Sequence, residues 1–388
     1  MAEQVKLPDI YLKSSPAELA EMIADRKARL GSSLCILGHH YQSDDVIQFA
    51  DFTGDSLRLS RLAAERKDAR YIVFCGVHFM AESADILAGD DQAVCLPNLL
   101  AGCAMADMAG ADAVHTALDE LADMTSARIV PVTYVNSTAA VKAITARAGG
   151  ACCTSSNVRN VFAWALAGRS AGGAGADKIL AIPDEHLGRN TAVAMGYGLD
   201  DCAVYDPLLP AGGLARGQVD RAAFLLWKGH CYVHQRFRPE HVRNVRALVK
   251  DVFVIVHPEC PHEVVALADA SGSTEQIIRA VEAGRPGGKW AIGTESNLVH
   301  RLAKRHGDKQ IRVLSDAPPI CFQMARIDLP HLAWTLDNLA AGRVVNQVSV
   351  DPAVAADARA ALQRMIDIKP APGPALGGAP GKSRENRG

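Results

Sequence analysis

The sequence has no block of basic residues, and 41 Lys and Arg against 43 Asp and Glu leave a formal charge of −2. Nothing in that balance suits a nucleic-acid groove or an anionic membrane surface. It has no apolar run long enough to span a bilayer. The start, Met-Ala-Glu-Gln-Val-Lys, lacks the charged-then-apolar order of a secretory signal. These absences lead to the expectation of a soluble, cytoplasmic protein with neither a nucleic-acid nor a membrane partner. At 388 residues the chain can bury a large core and form two or three domains. Its ten cysteines, in a reducing compartment, read as free thiols with metal or catalytic uses rather than as a disulfide framework.

What is present is a repeat. Short apolar strands alternate with amphipathic helices, the signature of parallel α/β units. Leu34–Gly38 runs into His39-His40-Tyr41, Ile129–Val135 includes Tyr134 and leads to Asn136, and Val252–Val256 ends at His257-Pro258-Glu259. Further strands are expected at 71–74, 92–97, 178–182, 202–206, 290–294 and 311–314. Each copy closes on a cysteine: Cys103, Cys231 and Cys321. The spacing from His39 to Cys103 (103 − 39 = 64) equals that from His257 to Cys321 (321 − 257 = 64). In parallel α/β units the carboxyl ends of the strands and the helix N-termini that follow form the working edge. Three such edges converging would wall one central cavity with three cysteines. A single large doubly wound sheet would instead leave those cysteines apart. Polar loops and terminal cysteines repeat together, which favours convergence.

Three thiols from distant segments suit a four-iron, four-sulfur (4Fe-4S) cluster better than zinc, and leave one iron open as a Lewis acid. Cys35, Cys75 and Cys95 lie within apolar strands and read as core, whereas Cys152, Cys153 and Cys260 sit in edge loops and compete. His39, Tyr41, His234, His257 and Glu259 are candidate acids, bases or anion ligands. Ser56, Ser155, Ser273 and Thr274 sit at helix starts, where they cap, and where backbone N–H groups can also hold a carboxylate or phosphate.

These motifs resemble the quinolinate synthase family from about residue 33 to 368. The likeness rests on His39-His40-Tyr41-Gln42, Gly54-Asp55-Ser56-Leu57, Gly102-Cys103-Ala104-Met105-Ala106-Asp107, Tyr134-Val135-Asn136-Ser137-Thr138 and Cys153-Thr154-Ser155-Ser156-Asn157. It continues through Pro183–Asn190, Trp227–His234, His257-Pro258-Glu259-Cys260-Pro261, Gly272-Ser273-Thr274 and Cys321. The resemblance implies three pseudo-equivalent three-layer α/β/α domains with parallel sheets around a central cluster cavity. It implies an enzyme of NAD biosynthesis that condenses iminoaspartate with dihydroxyacetone phosphate to quinolinate, releasing phosphate and two waters. Functional coupling to an iminoaspartate-producing L-aspartate oxidase follows from the same likeness.

By position, Cys103, Cys231 and Cys321 match the ligands of one cluster per chain. Tyr41, His257 and Glu259 match catalytic groups. His39, Ser56, Tyr134, Val135, Asn136, Ser155, His234, His257, Pro258, Glu259, Ser273 and Thr274 match substrate-binding positions. His40 stands where the family often has asparagine, and Arg326 is the cation nearest to a family lysine that this chain lacks. The units are expected at 33–112, 113–231 and 232–325, the first closed by helices at 16–29 and 331–368, with a disordered tail at 369–388. An open-iron hydro-lyase acting on a hydroxy-dicarboxylate would use the same thiols. An iron–sulfur carrier or sensor would have little use for such elaborate edge residues.

Overall fold

The computed structural model describes residues 6–369. The expected tail thus lies outside the described residues but for Lys369. The strands are β1 (Leu34–His39), β2 (Phe52–Gly54), β3 (Tyr71–Cys75), β4 (Ala93–Cys95), β5 (Ile129–Tyr134), β6 (Ala151–Cys153) and β7 (Lys178–Ile182). They continue as β8 (Cys202–Tyr205), β9 (Phe224–Trp227), β10 (Phe253–Val256), β11 (Ala270–Ser271), β12 (Lys289–Gly293) and β13 (Gln310–Val313). They form three sheets, ordered β2-β1-β3-β4, β6-β5-β7-β9-β8 and β11-β10-β12-β13, and every strand pairing within them is parallel. Helices flank all three. The protein is an α/β chain of three like units, as the repeat implied.

Parallel sheets carry helices on both faces, so their central strands are buried on both sides and read as continuous apolar runs. β1, β3 and β7 are buried along their whole length, Lys178 of β7 included. Lys178 satisfies its ammonium on the carbonyls of Asp220 and Ala222, at 2.8 and 2.7 Å.

Four strands were not legible. β2, β6 and β11 are edge strands of two or three residues, too short to show a period. β9 is a four-residue apolar run hidden in what reads as an insertion before Cys231. The consequence falls on the competing thiols. Cys152 and Cys153 belong to β6 and are buried, rather than lying in a loop.

The strand order explains where the polar loops go. In each sheet the first strand in sequence (β1, β5 or β10) lies between its second and third, so the winding reverses beside it. Loops leaving the carboxyl end of a strand at such a reversal diverge and open a crevice. The loops at that point are His39–Tyr41, Tyr134–Asn136 and His257–Glu259.

Helix 16–30 opens with Ser15 and Glu18 in a reciprocal cap and packs on helix 329–340. Helix 352–367 packs chiefly on helix 139–147 of the second unit, and also on helix 78–87 of the first. The C-terminal helix therefore bridges two units.

Candidate functional site

One cavity is walled by all three units in matching sets. His39, Tyr41, Ser56 and Cys103 come from the first, and Tyr134, Asn136, Ser155 and Cys231 from the second. His257, Glu259, Thr274 and Cys321 come from the third. Four other expected residues do not line it. Val135 and Pro258 are loop neighbours of lining residues, Ser273 caps helix 274–282 through Gln276 N, and His234 lies behind the wall. His234 is 1% exposed with both ring nitrogens hydrogen-bonded.

The two histidine loops are built alike. His39 Nδ1 accepts from the backbone N–H of Tyr41 at 3.1 Å, and His257 Nδ1 accepts from that of Glu259 at 3.4 Å. In a neutral ring this leaves Nε2 as the protonated nitrogen. Burial, then the neighbouring His40, pushes the His39 pKa down to about 3. Burial, then His234, does the same to His257. Both rings are therefore neutral donors, and His257 Nε2 lies 3.2 Å from Ser155 Oγ. Burial resists charge on Glu259, but the imidazoles of His257 and His234 outweigh it and lower its pKa. Glu259 Oε2 accepts from His234 Nδ1 at 2.7 Å. Burial, then the charge of Glu259, raises the pKa of both Tyr41 and Tyr134, which stay phenols.

The helix starts face the same space. Asp55, not Ser56, caps helix 56–65 through Arg58 N, leaving the Ser56 hydroxyl free of that duty. Ser155 precedes helix 158–166 instead of capping it. Thr274 opens helix 274–282. Ser156 ties the arrangement across units, bonding Ser273 Oγ at 2.8 Å and the Asp55 carboxylate. Asn136 Oδ1 is buried without a hydrogen-bond partner. In a native site such an orphan calls for a ligand.

Each lining cysteine opens a short helical turn: Cys103 before 104–107, Cys231 before 234–236 and Cys321 before 324–326. Backbone N–H groups of those turns (Met105 and Ala106, His234, Gln323 and Met324) bond the sulfurs. Burial nonetheless raises all three thiol pKa values, that of Cys103 to about 12, so all three are protonated thiols near neutral pH.

The loops of Cys231 and Cys321 are also tied down. Cys231 N donates to Asp184 Oδ2 at 3.2 Å, and the Tyr232 hydroxyl accepts from Phe322 N at 2.7 Å and donates to Cys321 Sγ at 3.6 Å. The competing Cys260 is buried on the carbonyl of Gly293 and is not part of the cavity wall. No disulfide occurs among the described residues.

Among the described residues, the one group of three or more His, Cys, Asp and Glu ligand atoms all within 4.8 Å of one another is Cys231, His234 and Glu259. Cys231 belongs to that group, whereas Cys103 and Cys321 do not.

Sequence reasoning passed over Thr294, Asp184 and Tyr232. Thr294 directly follows β12, and its place in the site depends on contacts with residues 41 and 234 that its neighbours in sequence do not show. His40 pairs with Glu275 at 2.9 Å, outside the cavity wall. Arg326 is exposed, reaches Gln323 Oε1 at 2.9 Å and is not part of the cavity wall.

Three parallel sheets meeting at a cavity of neutral imidazoles, phenols, a carboxylate and three thiols define the class: a three-unit α/β enzyme with a buried, thiol-lined centre. The chain belongs to the quinolinate synthetase A family, whose model matches residues 21–367. It is 53% identical over 362 residues to the quinolinate synthase of a Nocardioides species, covering 93% of this chain and 91% of that one. It is 52% identical over 365 residues to that of Acidobacterium capsulatum, covering 93% and 96%. The quinolinate synthase of Streptomyces coelicolor is 51% identical over 368 residues, covering 94% and 92%. No helix of the described residues is long and apolar enough to cross a membrane.

Proposed function

We propose that this chain condenses iminoaspartate with dihydroxyacetone phosphate to quinolinate, releasing phosphate and two waters, as a cytoplasmic step of NAD biosynthesis. The observation that carries the reading is the convergence of Cys103, Cys231 and Cys321 on one cavity with His39, Tyr41, His257 and Glu259. In this reading the three cysteines hold one 4Fe-4S cluster per chain. When bound, the cluster supplies a Lewis-acidic iron with a position free of protein ligands.

The chain's own residues bind and orient the substrates. The N-termini of helices 56–65 and 274–282, with Ser56 and Thr274, present N–H and hydroxyl donors suited to carboxylate or phosphate oxygens. Neutral His39 and His257 add directed donors without adding charge. Asn136 offers its unpartnered carbonyl oxygen to a substrate N–H or O–H. Tyr134 and Ser155 close the side contributed by the second unit, and the backbone at Val135 and Pro258 shapes two of the loops. Tyr41 and Glu259 move the protons that condensation and dehydration require. A short-lived imine substrate implies supply by an enzyme that oxidises aspartate at its amine, hence coupling to an L-aspartate oxidase.

The test is anaerobic purification with iron and sulfide analysis, followed by an assay for quinolinate from the two substrates. Four irons and quinolinate are expected. A chain that loads zinc instead, or that dehydrates a hydroxy-dicarboxylate and makes no quinolinate, overturns the reading.

A further inference from the structure

Lys142 is a buried charge that no step above employs. It belongs to helix 139–147, is 0% exposed, and reaches back to the loop that carries Asn136. Its ammonium donates to the carbonyl oxygen of Ser137. Helix 78–87 of the first unit closes over it. The centre of the Phe79 ring lies 5.7 Å from Nζ, and Phe79 itself lines the cavity. Burial lowers the Lys142 pKa, and the Glu82 carboxylate is the foremost charge opposing that shift. Glu82 also accepts from Ala139 N, at the start of helix 139–147, at 3.1 Å.

These contacts bracket Asn136. On one side Val135 N donates to Cys153 O at 2.8 Å. On the other, Ser137 is held twice, its N–H by Val135 O at 2.8 Å and its carbonyl by Lys142. Between them Asn136 lines the cavity with its Oδ1 unpartnered, so its aim is set by the backbone on either side. The N–H of Lys142 is used on Thr138 O within the helix, so only its side chain can reach Ser137. Stripping an ammonium of water is costly, and an apolar side chain would fill this helix position with less penalty. What lysine adds is a long arm ending in a strong donor.

We propose that Lys142 is a positioning residue: it holds the Ser137 carbonyl so that Asn136 Oδ1 stays aimed at substrate, with Phe79 and Glu82 keeping the ammonium in place. The inference rests on the reading above that Asn136 meets a substrate N–H or O–H. It makes the binding geometry of the second unit depend on a helix of the first.

The experiment is calorimetric binding of dihydroxyacetone phosphate, which carries a hydroxyl donor, to the cluster-loaded enzyme without air. It is run well below the melting transition, with iron counted per chain. The variants are Lys142→Met, Asn136→Ala, the two together, and Lys178→Met. Methionine keeps most of the apolar stem of lysine and removes the donor. Lys142→Met and Asn136→Ala are each expected to raise Kd by about threefold to tenfold, the weight of one hydrogen bond. The double variant is expected to bind no more weakly than Asn136→Ala, because one residue acts through the other. Lys178 is also buried on backbone carbonyls, but it opens β7 at the end opposite the working edge. Lys178→Met is therefore expected to keep the parental Kd, as a buried lysine with a purely structural role should. Parental affinity in Lys142→Met, or losses that multiply in the double variant, overturns the positioning role. Where Lys142→Met does not fold, Glu82→Gln decides, since it keeps an acceptor for Ala139 N and removes the charge facing the ammonium. It is expected to weaken binding severalfold, and parental affinity there overturns the inference. Parental affinity in Asn136→Ala defeats the underlying reading of Asn136, whereas a loss there beside parental affinity in Lys142→Met defeats the positioning role alone.

Discussion

Adding one methyl group at Gly229 should cripple the loop that delivers Cys231. Gly229 follows β9, and its carbonyl accepts from Glu185 N at 2.9 Å. A Cβ built there would lie 2.3 Å from the carbonyl oxygen of Pro183, with Met108 Cβ and Sδ at 3.4 Å. Van der Waals contact requires that gap to open by more than about 1 Å. The obstacle is backbone, held between β7 and the helix capped by Asp184, so it cannot rotate aside as a side chain would. Overpacking of this kind costs about 1–3 kcal/mol. The same displacement lengthens the Glu185 N to Gly229 O bond and the 3.2 Å bond from Cys231 N to Asp184, each worth about 1 kcal/mol. Gly229→Ala should therefore lose roughly 2–5 kcal/mol in all.

Gly102 is the control. It directly precedes Cys103, as Gly229 stands two residues before Cys231, but a Cβ there meets nothing within 4 Å, so Gly102→Ala should stay within about 0.5 kcal/mol of the parent. Thermal melts at one fixed scan rate, with iron and sulfide counted per chain after anaerobic purification, read both effects. Gly229→Ala should melt several degrees lower, on the order expected for that loss, and carry less iron, while Gly102→Ala matches the parent. A Gly229→Ala protein with parental melting and full iron would refute the packing described for this loop.

Serine in place of Cys103, Cys231 or Cys321 should each abolish cluster iron and its absorbance, whereas alanine at Cys75 or Cys95 should leave both. Full iron in any of the three serine variants would break the ligand assignment. Glu259→Gln should keep its iron and bind substrate yet lose at least about a hundredfold in turnover, which steady-state kinetics on reconstituted enzyme will read. Stability should fall as pH drops below about 6.5, because His39 and His257 stay neutral down to about 3 while their unfolded counterparts take up protons. Near pH 5 each ring contributes about 1.4 kcal/mol per pH unit, rising with pH, and unfolding of His39→Gln across pH 5 to 7 should show roughly half of the two-ring slope removed. An unchanged slope would mean that His39 titrates normally in the fold.

How far the site could be read in advance depended on where its contacts lie in the chain. His39-His40-Tyr41 and His257-Pro258-Glu259 are local: each follows an apolar strand, and the backbone N–H two residues on reaches back to the ring. Such geometry travels with the sequence, as does the capping of helix 274–282 by Ser273. Short edge strands failed for the opposite reason. β6 is three residues whose extended form comes from pairing with β5, not from any period of its own, and Cys152 and Cys153 therefore looked like loop thiols. His234 shows the same limit within the site. It matches a substrate-binding position of the family, while its hydrogen-bond partners, Glu259 and Thr294, lie 25 and 60 residues away in sequence.

The sequence by itself determined the parts: three α/β units, a polar loop after the first strand of each, and a terminal cysteine in each. Hydrophobic period, strand-end polarity and spacing are properties of neighbouring residues, and local physics is enough to read them. Tertiary structure alone decided which parts meet. It set the three edges face to face, placed Ser156 between Asp55 and Ser273, and ran Tyr41 through Thr294 and His234 to Glu259. Those contacts join groups more than a hundred residues apart in places, and only burial of three separate sheets against one another brings them within hydrogen-bond distance.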